Sequence, residues 1–284
     1  MSFGRRLLLD EQYEDNRYDG SFVLGRVGSH NVVIGCMPAG FMGIGLAAVV
    51  ATRMESVFNF LQIRLLVGVG GGVPSAGTDV RLGDVVISQP QNGYGGVVQY
   101  DFGKARVDGD FQRTSFLNAP PRILDAITTL RTRIIRQKSQ IWGHLAAFGP
   151  LQDFSREKAG PDILFHAEST HTHGATTCES CDRGRIIHRA ERPDQNPIIH
   201  YGTIASGNQV IKDAIARDRR SKNLGGVLCF EMEAAGLMND FPCIVIRGIC
   251  DYALTHTKIR PGSHMLLQLR QHVQRSYYRL SNPG

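Results

Sequence analysis

The chain has 284 residues, 42% of them hydrophobic and 20% charged, an ordinary globular composition that excludes wholesale disorder and suffices for one large α/β domain. No uncharged apolar run approaches the roughly 18 residues of a membrane span, and six cysteines in a chain this long exclude a disulfide scaffold, so a reducing, cytoplasmic setting is expected. The formal net charge of +6 is concentrated in the tail, where five basic residues and no acid follow Tyr252, so no nucleic-acid partner is expected.

Residues 1–20 are polar and acidic after Arg6 and show no clear element. Ser21–Gly28 and Asn31–Cys36 read as two short strands, and Gly28-Ser29-His30-Asn31 between them is a hairpin turn. Leu46–Phe58 follows a glycine-rich loop and reads as a helix with small alanines on one side. Ile63–Val69 is a continuous apolar run, the pattern of a strand buried on both faces, and it runs into Gly70-Gly71-Gly72. Asp84–Ser88 is a second buried strand, and Pro121–Lys138 has helical apolar spacing at Ile123, Leu124, Ile127, Leu130 and Ile134. Residues from about 149 to 197 are rich in His, Cys, Asp, Arg and Pro with little periodicity, and read as an irregular surface insertion. Beyond it, His200–Ala205 is a strand, Phe230–Met238 a strand end entering a helix, and Cys243–Cys250 a buried strand closed by Asp251. Buried strands alternating with helices make the fold α/β with a central sheet.

Several patterns carry chemistry. Gly43-Ile44-Gly45-Leu46-Ala47-Ala48 fits G-x-G-x-x-A, yet no acid ends the next strand, so close approach of a ligand or a plain tight turn fits better than a dinucleotide site. Val69-Gly70-Gly71-Gly72 costs conformational entropy, which a ligand meeting the backbone would explain, as would a strand-ending turn. Glu231 and Glu233 point to opposite sides if extended, so one can face a ligand while the other is held structurally. A carboxylate suits a ribose diol because it accepts two hydrogen bonds. The plainer alternative is a solvated helix N-terminus. Asp251, at the end of a buried strand, is a candidate general acid, with a helix cap or an ion pair to Arg247 as the alternative. His171, His173, Cys178 and Cys181 form H-x-H-x4-C-x2-C, a zinc-compatible set in an irregular stretch, where free surface side chains are the plainer reading. No cofactor is expected.

On these motifs the chain resembles the nucleoside phosphorylase/nucleosidase superfamily. That superfamily includes the purine nucleoside and uridine phosphorylases and the methylthioadenosine/S-adenosylhomocysteine nucleosidases. The likeness is strongest to the fungal branch, where the domain precedes NACHT, ankyrin or tetratricopeptide regions. The carrying segments are Val67–Pro74, Val80–Ser88, Gly96–Lys104, Tyr201–Lys212, Phe230–Gly236 and Arg247–Tyr252. The resemblance implies a three-layer α/β/α sandwich with a mixed, partly closed sheet, spanning residues 21–253 and interrupted by the insertion. It implies cleavage of the N-glycosidic bond of a purine nucleoside in a homo-oligomer. By the same resemblance Asp251 is the general acid toward the base, and Met232 and Glu233 contact the ribose. Val69, Gly70 and Gly71 supply backbone beside base and ribose, Val210 and Ile211 the wall under the base, and Gly43 the loop on the nucleophile side. In a signalling branch, a nucleoside-sensing domain with little turnover is the alternative function.

The departures are informative. Leu66 and Val69 stand where the phosphorylases hold phosphate with an arginine and a hydroxyl residue, so hydrolysis is expected over phosphorolysis. The family's first strand and the water-activating glutamate after it have no counterpart before Leu7–Glu11, which leaves Glu11 as the acid to consider. Leu254 replaces an expected aspartate, and residues 254–284 form a divergent basic tail. Read two bases later, with free codon choice, Arg260–Tyr278 yields an alanine-rich stretch resembling the family's closing helix. A frame shift or a mispredicted exon boundary shortly before Arg260 is therefore expected, with a genuine basic helix as the alternative.

Overall fold

The computed structural model describes residues 11–13, 22–27, 29–38, 40–105, 111–113, 117, 121–136, 160–169, 178, 181–194 and 196–253. The tail and Leu7–Asp10 lie outside them. The expected hairpin forms from β2 (Phe22–Val27) and β3 (His30–Gly35), with Val27 opposite His30. A short strand, β1 (Glu11–Tyr13), lies where the sequence shows no element and pairs with the outer edge of β2. These three strands make a sheet of their own.

The main sheet is built on β4 (Leu65–Gly72) and β12 (Ile244–Asp251), which run parallel side by side. β5 (Val85–Ser88) and β9 (Ile199–Gly202) extend it beyond β12, while β11 (Cys229–Glu231), β10 (Ile204–Ser206) and β6 (Val97–Gln99) extend it beyond β4. The order is β6-β10-β11-β4-β12-β5-β9, with antiparallel joins at β11–β4 and β12–β5, so the sheet is mixed as expected. β7 (Gly103–Ala105) and β8 (Phe111–Arg113) form a separate antiparallel pair.

Alternation along the strands produces the layers. Ile244 and Ile246 of β12 and Val85 and Ile87 of β5 face Ile127 and Leu130 of the helix α2 (Pro121–Ile135). Cys243, Val245 and Ile249 face the opposite side, with Ala47 and Ala51 of α1 (Ile44–Val57) in the same cluster. Successive strand residues point to opposite faces, so one apolar run feeds both cores. The third helix, α3 (Ala214–Asn223), starts at Asp213, whose carboxylate accepts the Ile215 and Ala216 amides.

Three expectations change. The strand read as His200–Ala205 is two strands. Gly202 pairs with Ser88, Ile204 pairs with Cys229 and Val97, and the chain changes neighbours at Thr203. The expected helix after Phe230 is a single 3-10 turn, Ala234–Gly236. Val69, read as buried on both faces, is half-exposed, as are Leu65 to Val67 to a lesser degree.

Asp84 anchors the start of β5. It is buried and receives Arg192 through two hydrogen bonds of 2.6 and 2.7 Å, the His200 ring at 2.8 Å, and the amides of Arg81 and Ile198 at 2.8 and 2.9 Å. Burial acts to raise its carboxyl pKa, but the Arg192, His200 and Ile198 bonds outweigh burial and hold it below the usual range. A depressed folded pKa stabilises above the unfolded value of about 3.9, and that contribution is lost as pH falls through the folded value. Urea midpoints measured against pH should therefore drop steeply below about pH 4, and Asp84→Asn should flatten that acid limb.

Candidate active site

The sheet register brings the candidate residues together along β4. Asp251 sits opposite Gly71, and Arg247 opposite Gly68. On the other side of β4, Phe230 also pairs with Gly71, and β11 runs back along β4 toward Glu233. The two acids therefore reach the glycine run from opposite flanks.

Arg247 fixes the place of Glu233. Its Nη2 donates to Glu231 Oε2, and its Nη1 lies 3.2 Å from Glu233 Oε2 and 3.4 Å from the Val69 carbonyl. Arginine in a buried strand requires a compensating charge, and here one guanidinium serves two carboxylates. Glu231 is the structural acid: its carboxylate also accepts the amides of Glu233 and Ala234 at 3.1–3.2 Å. Among the described residues, Glu233's carboxylate is engaged by Arg247 alone. It keeps acceptor capacity for a ligand, while being only 8% exposed. The solvated-helix alternative and the Arg247–Asp251 ion pair are both set aside by this arrangement. Gly68 makes it feasible, since a Cβ there would lie 1.8 Å from Arg247 Nη1.

Asp251 is half-buried at the end of β12. Its Oδ1 accepts the Ala253 amide at 2.7 Å, and the Cys250 thiol lies 3.4 Å from Oδ2. A Cβ on Gly71 would come within 2.8 Å of Oδ1, so this glycine gives the carboxylate its room. Arg247 holds Glu233 at the level of Gly68, and Asp251 stands at the level of Gly71. Three steps along the strand separate the two levels, roughly 10 Å, with Val69 and Gly70 between. Two carboxylates therefore stand at that spacing along one glycine-rich strand.

The loops around this line are tied to each other. Asn208 Oδ1 accepts the Ile44 amide at 3.1 Å, and the Asn208 amide donates to Asp101 Oδ2 at 2.7 Å. This joins the start of α1 to the loops after β6 and β10. Gly43 takes φ +111° at the start of α1, where a side chain would be strained. The Gly207 amide donates to the Glu231 carbonyl at 3.2 Å, so the loop bearing Val210 leaves the sheet beside β11. Val210 is 56% exposed, but Ile211 turns into the core beside Tyr100 and Phe230, leaving only its backbone for a base wall. Met232 is half-buried between the two glutamates.

Leu66 and Val69 offer no side-chain donor for an anion. Glu11 lies on β1, with β2 between it and β3. A cavity of about 690 Å³ opens behind Glu233 and Arg247, lined by β3, the first half of β4 and α1. Of the zinc-compatible set, His171 and His173 lie outside the described residues. Cys181 is buried, and its amide reaches the Cys178 carbonyl at 3.3 Å. Among the described residues no group of three or more His, Cys, Asp or Glu is placed to hold a metal. No helix among them is long and apolar enough to cross a membrane.

Sequence reasoning offered Arg247 to Asp251 and not to the two glutamates it pairs with, and passed over Asn208 and the partners of Tyr252. A charged residue inside Ile244–Ile249 was the available signal for the first, because a buried arginine implies an acid nearby.

The fold agrees with comparison to known proteins. The chain is 43% identical over 251 residues to a nucleotide-binding leucine-rich repeat (NLR)-like protein of Hyaloscypha variabilis, covering 87% of this chain and 24% of that protein. It thus spans about a quarter of that relative's length. Its fold is similar to the 5′-methylthioadenosine/S-adenosylhomocysteine nucleosidase of Streptococcus pneumoniae solved with a transition-state inhibitor (TM-score 0.58, 16% identity, 99% of this chain and 94% of that one). It is equally similar to the S-adenosylhomocysteine nucleosidase of Streptococcus pyogenes (TM-score 0.58, 14% identity, 100% and 92%). A model of the Phosphorylase superfamily matches residues 3–271, and the chain belongs to that superfamily.

Proposed function

We propose that the chain cleaves the N-glycosidic bond of purine nucleosides by hydrolysis. The observation that carries this is the pair of acids along β4: Asp251 at Gly71 and Arg247-held Glu233 at Gly68. Asp251 donates a proton to the leaving base, and Glu233 accepts the ribose hydroxyls, which keeps the sugar in place as positive charge develops on it. The backbone of Val69–Gly71 lies under the sugar and base, and Val210 covers the base. Water is favoured over phosphate because Leu66 and Val69 carry no anion-holding group. The site residues, a homo-oligomeric state and a cytoplasmic setting belong to this same reading.

The test incubates the purified chain with adenosine, inosine, guanosine and methylthioadenosine, with and without phosphate, and follows free base. Base release without phosphate is expected. Release only with phosphate would overturn the hydrolytic reading. The second reading, a nucleoside-sensing domain with little turnover, draws on the NLR-like relative, of which this chain matches one part. Nucleoside binding to a folded protein with no base release would favour it.

A further inference from the structure

Tyr252 directly follows Asp251 and is fully buried. Its hydroxyl is used to capacity: it donates to Asp162 Oδ1 and accepts Arg189 Nη2 at 2.9 Å and the Leu82 amide at 3.3 Å. A phenol has one proton to give and two lone pairs, so nothing is left over. Arg189 Nη2 also binds Asp162 Oδ2 at 2.7 Å, and its guanidinium lies 5.4 Å from the Tyr252 ring centre. Both side chains come from the stretch between α2 and β9 that the sequence presents as an irregular insertion. At its other end, the Tyr252 carbonyl accepts Nη1 of the buried Arg217 of α3 at 2.7 Å.

The next residue, Ala253, has φ +49°. Alanine enters this left-handed region only where its surroundings impose it. The turn aims the Ala253 amide at Asp251 Oδ1. A tyrosine pinned at hydroxyl and carbonyl is what holds the turn.

We infer that Asp162 and Arg189 are positioning residues for Asp251, acting through Tyr252 and the left-handed turn at Ala253. This rests on reading Asp251 as the general acid. Burial, with Asp162 alongside, raises the Tyr252 phenol well above its ordinary range, so the hydroxyl stays protonated and remains the donor. The insertion is therefore part of the catalytic framework.

Two variants test this. Tyr252→Phe removes the hydroxyl at constant shape. Asp162→Asn with Arg189→Gln removes both charges, so neither is left buried alone. Base-release kinetics are read beside hydrogen exchange of the Ala253 amide by NMR, on proteins shown folded by a cooperative melt. Each variant should lower kcat about 10- to 100-fold with KM within about twofold. The Ala253 amide should exchange at least about tenfold faster. Combining all three substitutions should cost no more than either variant alone. Unchanged kcat with an unchanged Ala253 amide, or losses that multiply, would overturn the inference. Activity that Asp251→Asn removes but Tyr252→Phe does not touch defeats this inference alone. If the native protein releases no base while the Ala253 amide still responds, the general-acid reading fails and the coupling of the insertion to Asp251 stands.

Discussion

Arg247→Met is expected to destabilise the protein by about 3–5 kcal/mol, read as a fall in the urea midpoint at pH 7. Arg247 is 3% exposed and its guanidinium is the cation serving Glu231, whose side chain is fully buried. Removing it leaves two carboxylates facing each other in low dielectric, the costly case for a buried ion pair. Arg247→Met combined with Glu231→Gln should recover part of the loss, because one of the two stranded charges is then gone. Gly68→Ala should reproduce the Arg247→Met phenotype without touching a charge, since its Cβ would sit 1.8 Å from Nη1 and expel the guanidinium. A Gly68→Ala protein with native stability would show that Arg247 is not confined to this position. Both variants should also lose nucleoside binding, as Glu233 is no longer held against β4.

Asp251→Asn is expected to lower kcat for base release by about 10²–10⁴, the range of a lost general acid, with a much smaller change in KM. Stability should barely move. The residue is half-buried, and an asparagine oxygen can still accept the Ala253 amide. A substrate whose leaving group needs no proton separates chemistry from damage: cleavage of 4-nitrophenyl riboside should be nearly unaffected by Asp251→Asn. Equal losses on both substrates would mean that Asp251 shapes the site and does not protonate the base.

Much of this site is legible one segment at a time. Periodicity locates the β2–β3 hairpin, α1 and the buried strand ending at Asp251, because the side-chain pattern of each element is local. The same locality hides partners. His200–Ala205 keeps its strand pattern through Thr203 although the chain exchanges β5 for β11 and β6 there, and alternation carries no record of which strand lies alongside. The single 3-10 turn after Glu231 likewise follows from the two amides captured by its carboxylate, a contact that no helical pattern announces.

The sequence by itself determined the α/β class, the glycine run of β4 and the two acids that flank it. Those depend on composition, period and short motifs within one stretch of chain. The resemblance favoured Glu233, but only the tertiary structure tied Glu231 into the scaffold, turned Ile211 inward while leaving Val210 exposed, and brought Asp162 and Arg189 from an irregular segment to the residue after Asp251. These are decisions of burial and charge pairing between residues distant along the chain, 16 positions for Arg247–Glu231 and 90 for Tyr252–Asp162. Two carboxylates with one residue between them are equivalent in residue pattern, and the place of one buried guanidinium together with two captured amides ties Glu231 into the scaffold while Glu233 keeps acceptor capacity.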